Sequence, residues 1–197
     1  TTTLGMDVEY ATLETNIAGN LPAMLQLASE TLIVLIWLDK FPDHGRDVVF
    51  SENQENYKPL LDLLASTEVE KLTVGGRGDT INLAKWWGIL LSEKISSQDE
   101  DLLIDQYFGN IVNLVDAYPW QSWGINKTEQ LSLGNLCAFA LEREMPKKYK
   151  KKRMKKLSHW RAKELTEEMR AYAACDARCL LDIRKAMESK KETLEQQ

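Results

Sequence analysis

The sequence predicts an α/β fold: a mixed β-sheet flanked by helices, with strands mostly in the N-terminal part and helices mostly in the C-terminal part. Three observations predict it. Apolar, β-branched runs of strand length all lie before Gly75. Longer segments with apolar residues at helical spacing dominate after it. One helical segment separates the third strand-like run from the fourth, which allows a parallel crossover beside a hairpin and hence a sheet of mixed direction.

The elements follow in chain order. Leu4–Tyr10, "LGMDVEY", alternates apolar and acidic residues and reads as a first strand. Ala23–Ser29 and Thr31–Leu38 read as a second and a third, joined by a tight hairpin at Glu30. Ser51–Ser66 opens on an N-cap serine and carries leucines at helical spacing. Val69–Val74 reads as a fourth strand, followed by the glycine-rich "GGRGD" and a helix through Ile81, Leu83, Ala84 and Trp87. A largely helical region runs from Ser97 to Tyr118 and breaks at "YPWQSWG". Another helix fits Leu131–Glu144, stopped by Pro146. The last follows Thr166, a capping threonine, and continues to about Glu188.

Composition sets limits. A chain of 197 residues, 44% hydrophobic, can bury one domain's core, so residues 1–197 are read as a single domain, cut from a longer protein. The longest apolar run, Thr31–Leu38, is far short of the roughly 20 residues of a membrane helix. Three cysteines without framework spacing predict a reducing compartment, cytoplasmic or nuclear. The net charge of −5 hides a basic block: Lys147–Lys156 carries eight basic residues, leaving 17 against 30 acids elsewhere. Such a block, including Lys150, Lys151, Lys152 and Arg153, suits phosphate contact, and it equally suits a solvated loop or an import signal.

Chemistry concentrates in a few acids. Asp7 and Glu9 are two apart on the first strand, so both point to one face, opposite Met6 and Val8. That is either the wet face of an edge strand or a pair neutralised by a cation. Asp79 lies after a strand and a glycine turn, at the start of a helix, where alone it could simply be a cap. "VGGRGD" lacks the Gly-Lys-Ser/Thr of a phosphate-binding P-loop. Tyr172 and Asp176 are four apart and share a face of the last helix.

Taken in order, Asp-x-Glu, a later Asp and a C-terminal Tyr-x-x-x-Asp resemble the DEDDy 3′-5′ exonucleases, the family of RNase D and the Werner-syndrome exonuclease. "LPAMLQLAS", "LSLGNLCAFAL" and "SHWRAKELTEEMRAYAACDA" resemble its flanking segments, so the likeness spans essentially the whole chain. Within the family, "GMDVEY", "EKLTVGGRGD" and "CLLDIRKAM" look most like the Nibbler-type exoribonucleases. The resemblance implies an RNase H-like exonuclease fold. It implies a metal-dependent 3′-5′ exonuclease acting on single-stranded RNA or DNA 3′ ends, with RNA favoured, and releasing nucleoside 5′-monophosphates. A Werner-type DNA exonuclease and a non-catalytic nucleic-acid scaffold are the alternatives.

The resemblance also implies two ions, Mg²⁺ or Mn²⁺, held by Asp7, Glu9, Asp79 and Asp176; an all-oxygen donor set suits such hard cations. Asp7 would serve both ions, Glu9 and Asp176 the first, and Asp79 the second through water. Tyr172 would position the attacking water, because a phenol is a poor base at neutral pH. Tyr10 stands where the family often has Trp and would pack below the terminal nucleotide. Arg161, Lys163 and Arg178 flank the C-terminal motifs and are expected near the substrate face, contacting phosphate or lying on a solvated surface. Trp86 and Trp87 are expected to divide between core and surface, with base stacking an alternative. The Trp120–Trp123 loop offers a contact for a protein partner or, more simply, packing within the domain.

Overall fold

A computed structural model describes residues 2–11, 21–38, 54–87, 97–125, 131–145, 160 and 164–195. Its five-stranded sheet has the order β3-β2-β1-β4-β5. β1 (Thr2–Ala11) pairs antiparallel with β2 (Leu21–Ala28), which pairs antiparallel with β3 (Ile33–Trp37). On the other side β1 runs parallel to β4 (Val69–Thr73), and β4 parallel to β5 (Ile111–Asn113). The mixed directions match the expectation, and β1 sits at the centre.

The alternation along β1 sorts its side chains onto two layers. Met6 and Val8 enter a core shared with α1 (Gln54–Ala65), α2 (Gly76–Trp86) and α3 (Ser97–Tyr107). Asp7 and Glu9 therefore face the opposite layer, where α6 (Glu167–Glu195) lies across the sheet. That layer is closed by α5 (Leu133–Leu141), whose Leu136 and Cys137 pack with Leu180, Ile183 and Met187 of α6. Thr166 caps α6 as expected, its Oγ1 accepting from the Met169 amide at 3.2 Å. The helix runs past Glu188 to Glu195.

The helical region expected over Ser97–Tyr118 is interrupted. α3 stops at Tyr107, Asn110 takes a left-handed φ of 52°, and Ile111–Asn113 forms β5 before the short α4 (Leu114–Ala117). Gly109 lets this turn pass against the Ala65 carbonyl, where a Cβ would overlap it. Two β-branched residues, Ile111 and Val112, then extend the sheet. The hairpin is looser than predicted: Ser29–Leu32 joins the strands, and Ser29 Oγ accepts from the Thr31 and Leu32 amides.

Lys71 on β4 is fully buried. Its Nζ donates to the carbonyls of Ser66 at 2.6 Å and Gly109 at 2.5 Å, just beyond the C-terminal ends of α1 and α3, where backbone dipoles favour a cation. Burial pushes its amine down to about 8. Lys71→Met strands both carbonyls, so it is expected to cost about 2–4 kcal/mol, read as a lower urea midpoint at unchanged slope.

The tryptophans serve the core. Trp87 is buried and stacks on Phe108 at 6.2 Å, with half-buried Trp86 edge-on to it. Trp120 is buried in a 3-10 turn (Trp120–Trp123) and donates to the Leu114 carbonyl at 2.8 Å. Half-buried Trp123 lies 5.7 Å beneath Lys190. No helix among the described residues is long and apolar enough to cross a membrane.

Candidate active site

Three of the predicted acids meet. Asp7 and Glu9 from β1 and Asp176 from α6 bring one carboxylate oxygen each to within 4.8 Å of one another. They lie in a cavity of about 750 Å³ that Tyr10, Tyr172 and Asn135 also line. The approach depends on a residue without a side chain. Gly5, two positions before Asp7, lies against the Ala177 carbonyl directly after Asp176, and a Cβ there would overlap that oxygen. β1 and α6 thus touch backbone to backbone at the point where their acids converge.

Such crowding of like charge in a partly buried site is unfavourable unless a cation is shared. Among the described residues the donors are all carboxylate oxygens, a set that fits a hard divalent ion.

Tyr172 is half-buried one helical turn before Asp176 and hydrogen-bonds to its carboxylate. Burial, then the charges of Asp176, Glu9 and Asp7, push its phenol well above the usual range. A phenol is a poor base at neutral pH, and this environment favours its protonated form, which can donate and orient.

Asp79 stands apart from these oxygens. It sits in the first turn of α2, which is capped by Gly75 with a φ of 73°, so Asp79 is not the cap itself. The Tyr10 hydroxyl donates to its Oδ1 at 2.5 Å. Burial raises the Asp79 carboxyl to about 6, and the Tyr10 bond opposes that rise. Since the folded value exceeds the ordinary 3.8, the fold holds the proton more tightly than the unfolded chain. The stability of the metal-free chain should then fall as pH rises from about 4 to about 6, by up to about 2–3 kcal/mol. Asp79→Asn keeps an acceptor for Tyr10 and removes the charge. Thermal melts in chelator should find the variant more stable than wild type at pH 7 and level with it near pH 4.

Gln26 was not anticipated. It is fully buried on β2, directly opposite Asp7 in the register. With its amide nitrogen turned toward them, it donates to Asp7 Oδ2 at 3.1 Å and to the Ala173 carbonyl of α6 at 3.2 Å. It links strand and helix through Asp7 itself. Its signal in the sequence was a single polar side chain in the otherwise apolar "LPAMLQLA".

Other expected contacts fall elsewhere. Arg178 is spent on the fold: its guanidinium donates to the Ser29 and Glu30 carbonyls at 3.0 and 2.5 Å and pairs with Asp182 at 3.4 Å. This ties α6 to the hairpin and removes Arg178 from the substrate contacts expected of it. Lys150, Lys151, Lys152, Arg153, Arg161 and Lys163 lie outside the described residues.

Comparisons with known proteins agree with this geometry. The family profile described as 3′-5′ exonuclease matches residues 2–192. The Nibbler EXO domain of Aedes aegypti superposes with a TM-score of 0.66 at 20% identity, covering 98% of this chain and 80% of that one. NrnC of Brucella melitensis gives 0.63 at 16% identity over 98% and 74%, and it has been solved bound to pGG and with bound Mg²⁺. RNase D of Escherichia coli, an exoribonuclease involved in structured RNA processing, gives 0.61 at 16% identity over 97% of this chain and 40% of its own. At these identities the structures speak for the fold. No curated protein matches the chain by sequence. The profile spans nearly every residue, and by that measure the chain belongs to the 3′-5′ exonuclease family and is a DEDD-type exonuclease.

Proposed function

We propose that residues 1–197 form one exonuclease domain that trims single-stranded nucleic acid from its 3′ end, RNA in preference to DNA, and releases nucleoside 5′-monophosphates. The observation that carries this reading is the convergence of Asp7, Glu9 and Asp176 in a cavity of nucleotide size beside Tyr172. The preference for RNA rests on the company the fold keeps, an exoribonuclease and a Nibbler EXO domain among them.

Divalent ions, Mg²⁺ or Mn²⁺, two by the family resemblance, would be held by Asp7, Glu9 and Asp176, with Asp79. When bound, they supply charge neutralisation at the scissile phosphate and acidify water. The chain's own groups do the rest. Asp7, held by Gln26, keeps its carboxylate aimed at the cavity. The Tyr172 hydroxyl, bonded to Asp176, would hold the attacking water. Glu9 and its backbone lie beside the same cavity, where a terminal ribose would sit. The basic residues Lys150–Arg153 and Arg161 supply contacts to the phosphate backbone, which carry no sugar identity. A protein partner at the Trp120–Trp123 turn would meet the edge of Trp123, because Trp120 is taken up by the core.

The test is a competition between matched 5′-labelled RNA and DNA oligonucleotides in Mg²⁺, with products resolved by chromatography. The proposal expects faster shortening of RNA and 5′-monophosphates as product. Faster shortening of DNA would assign a Werner-type substrate, and binding without shortening of either would assign a scaffold.

A further inference from the structure

Asp79 is the one acid of the quartet outside the carboxylate cluster, and what holds it is Tyr10. The register of β1 against β2 slips between Glu9, opposite Met24, and Tyr10, opposite Pro22. The extra residue, Ala23, lies on β2, and β1 keeps its alternation, so Tyr10 stays on the Met6 and Val8 face that α2 covers. Here Tyr10 reaches α2. Its hydroxyl donates to Asp79 Oδ1 at 2.5 Å and accepts from Asn82 Nδ2 at 3.3 Å. Asp79 and Asn82 are three apart, so both project from one face of α2 toward the same oxygen. A phenol has one hydrogen to give, and Asn82 fixes which way it is given. Asp79 is thus clamped at one oxygen, which sets the direction in which the other presents. This is more than a base-stacking platform requires: stacking uses the ring and is indifferent to the hydroxyl.

We propose that Tyr10 is a positioning residue for Asp79: locked by Asn82, its hydroxyl holds the carboxylate in the orientation from which it serves a divalent ion. The inference rests on the proposed metal-dependent reading of the site. Partners that orient ligating carboxylates are typically worth 10- to 100-fold in metal affinity.

The experiment is a Mn²⁺ titration of wild type, Tyr10→Phe, Tyr10→Leu and Asp79→Asn, followed by thermal melting and by the electron paramagnetic resonance of free Mn²⁺. Tyr10→Phe keeps the ring and removes one oxygen. It should weaken the Mn²⁺ response about 10-fold or more, with no further loss when added to Asp79→Asn. In turnover it should lower kcat at limiting Mn²⁺, recover at high Mn²⁺ and leave the oligonucleotide KM unchanged. If Tyr10→Phe titrates like wild type while Tyr10→Leu alone raises KM, the ring is a nucleotide platform and the proposal fails. If wild type itself binds no Mn²⁺, the metal-dependent reading fails and takes this inference with it.

Discussion

Gly5→Ala is expected to remove activity while Gly78→Ala leaves it intact, although both add one methyl group. At Gly5 the new Cβ would overlap the Ala177 carbonyl oxygen and meet Leu180 Cβ at 3.3 Å. The obstacle is helix backbone, which cannot rotate away as a side chain could. α6 must therefore lift from β1, and Asp176, bonded directly to Ala177, lifts with it. Overpacking of this kind costs about 1–3 kcal/mol or more, and a shift of about 1 Å in a reacting group can cost on the order of 100-fold in rate. Gly78 has nothing within 4 Å of its would-be Cβ and lies inside α2, where alanine is favoured over glycine by roughly 0.5–1 kcal/mol. Melting temperatures and trimming rates of the two variants check this. Equal behaviour would mean that the β1–α6 contact does not set the site.

Asp7→Asn is expected to give a more stable and inactive protein. In the absence of metal, the Asp7, Glu9 and Asp176 oxygens lie within 4.8 Å of one another. Removing one charge relieves that repulsion, by about 1–3 kcal/mol once solvent screening is allowed for. Asparagine is isosteric and still offers an oxygen to Gln26, so the link across β1, β2 and α6 survives. The loss falls on metal binding. Without the Asp7 carboxylate the Mn²⁺-induced rise in melting temperature should vanish, and the rate should drop about 1,000-fold or more, the equivalent of about 4 kcal/mol. Opposite signs for stability in chelator and activity in metal mark a functional acid, and a structural one would lose both.

Much of this site was legible before the fold was known, because the period of a strand and the period of a helix already decide which residues share a face. Asp7 and Glu9 had to point away from Met6 and Val8, and Tyr172 had to sit above Asp176. Long-range relations were not legible in this way. β5 was hidden in a run rich in helix formers, and only the Gly109–Asn110 turn and the pairing with β4 make it a strand. Gln26 looked like one polar residue in an apolar strand until the register put it across from Asp7. Tyr10 carried a role inferred from its flat ring, and only the fold brings its hydroxyl to Asp79, 69 residues further along the chain. Arg178 was expected at the substrate because it follows a catalytic motif in sequence. Its side chain instead closes the β2–β3 turn, 148 residues away along the chain.

On the proposed reading, the carboxylates of β1 and α6 form a divalent-ion site that cleaves from a free 3′ end. Its most direct test is single-stranded RNA labelled at the 5′ end, incubated with wild type and with Asp7→Asn in Mg²⁺, Mn²⁺ or chelator. The expected result is a ladder shortening stepwise from the 3′ end with either metal, absent in chelator and absent in the variant. A ladder that persists in chelator, or in Asp7→Asn at the wild-type rate, would contradict it.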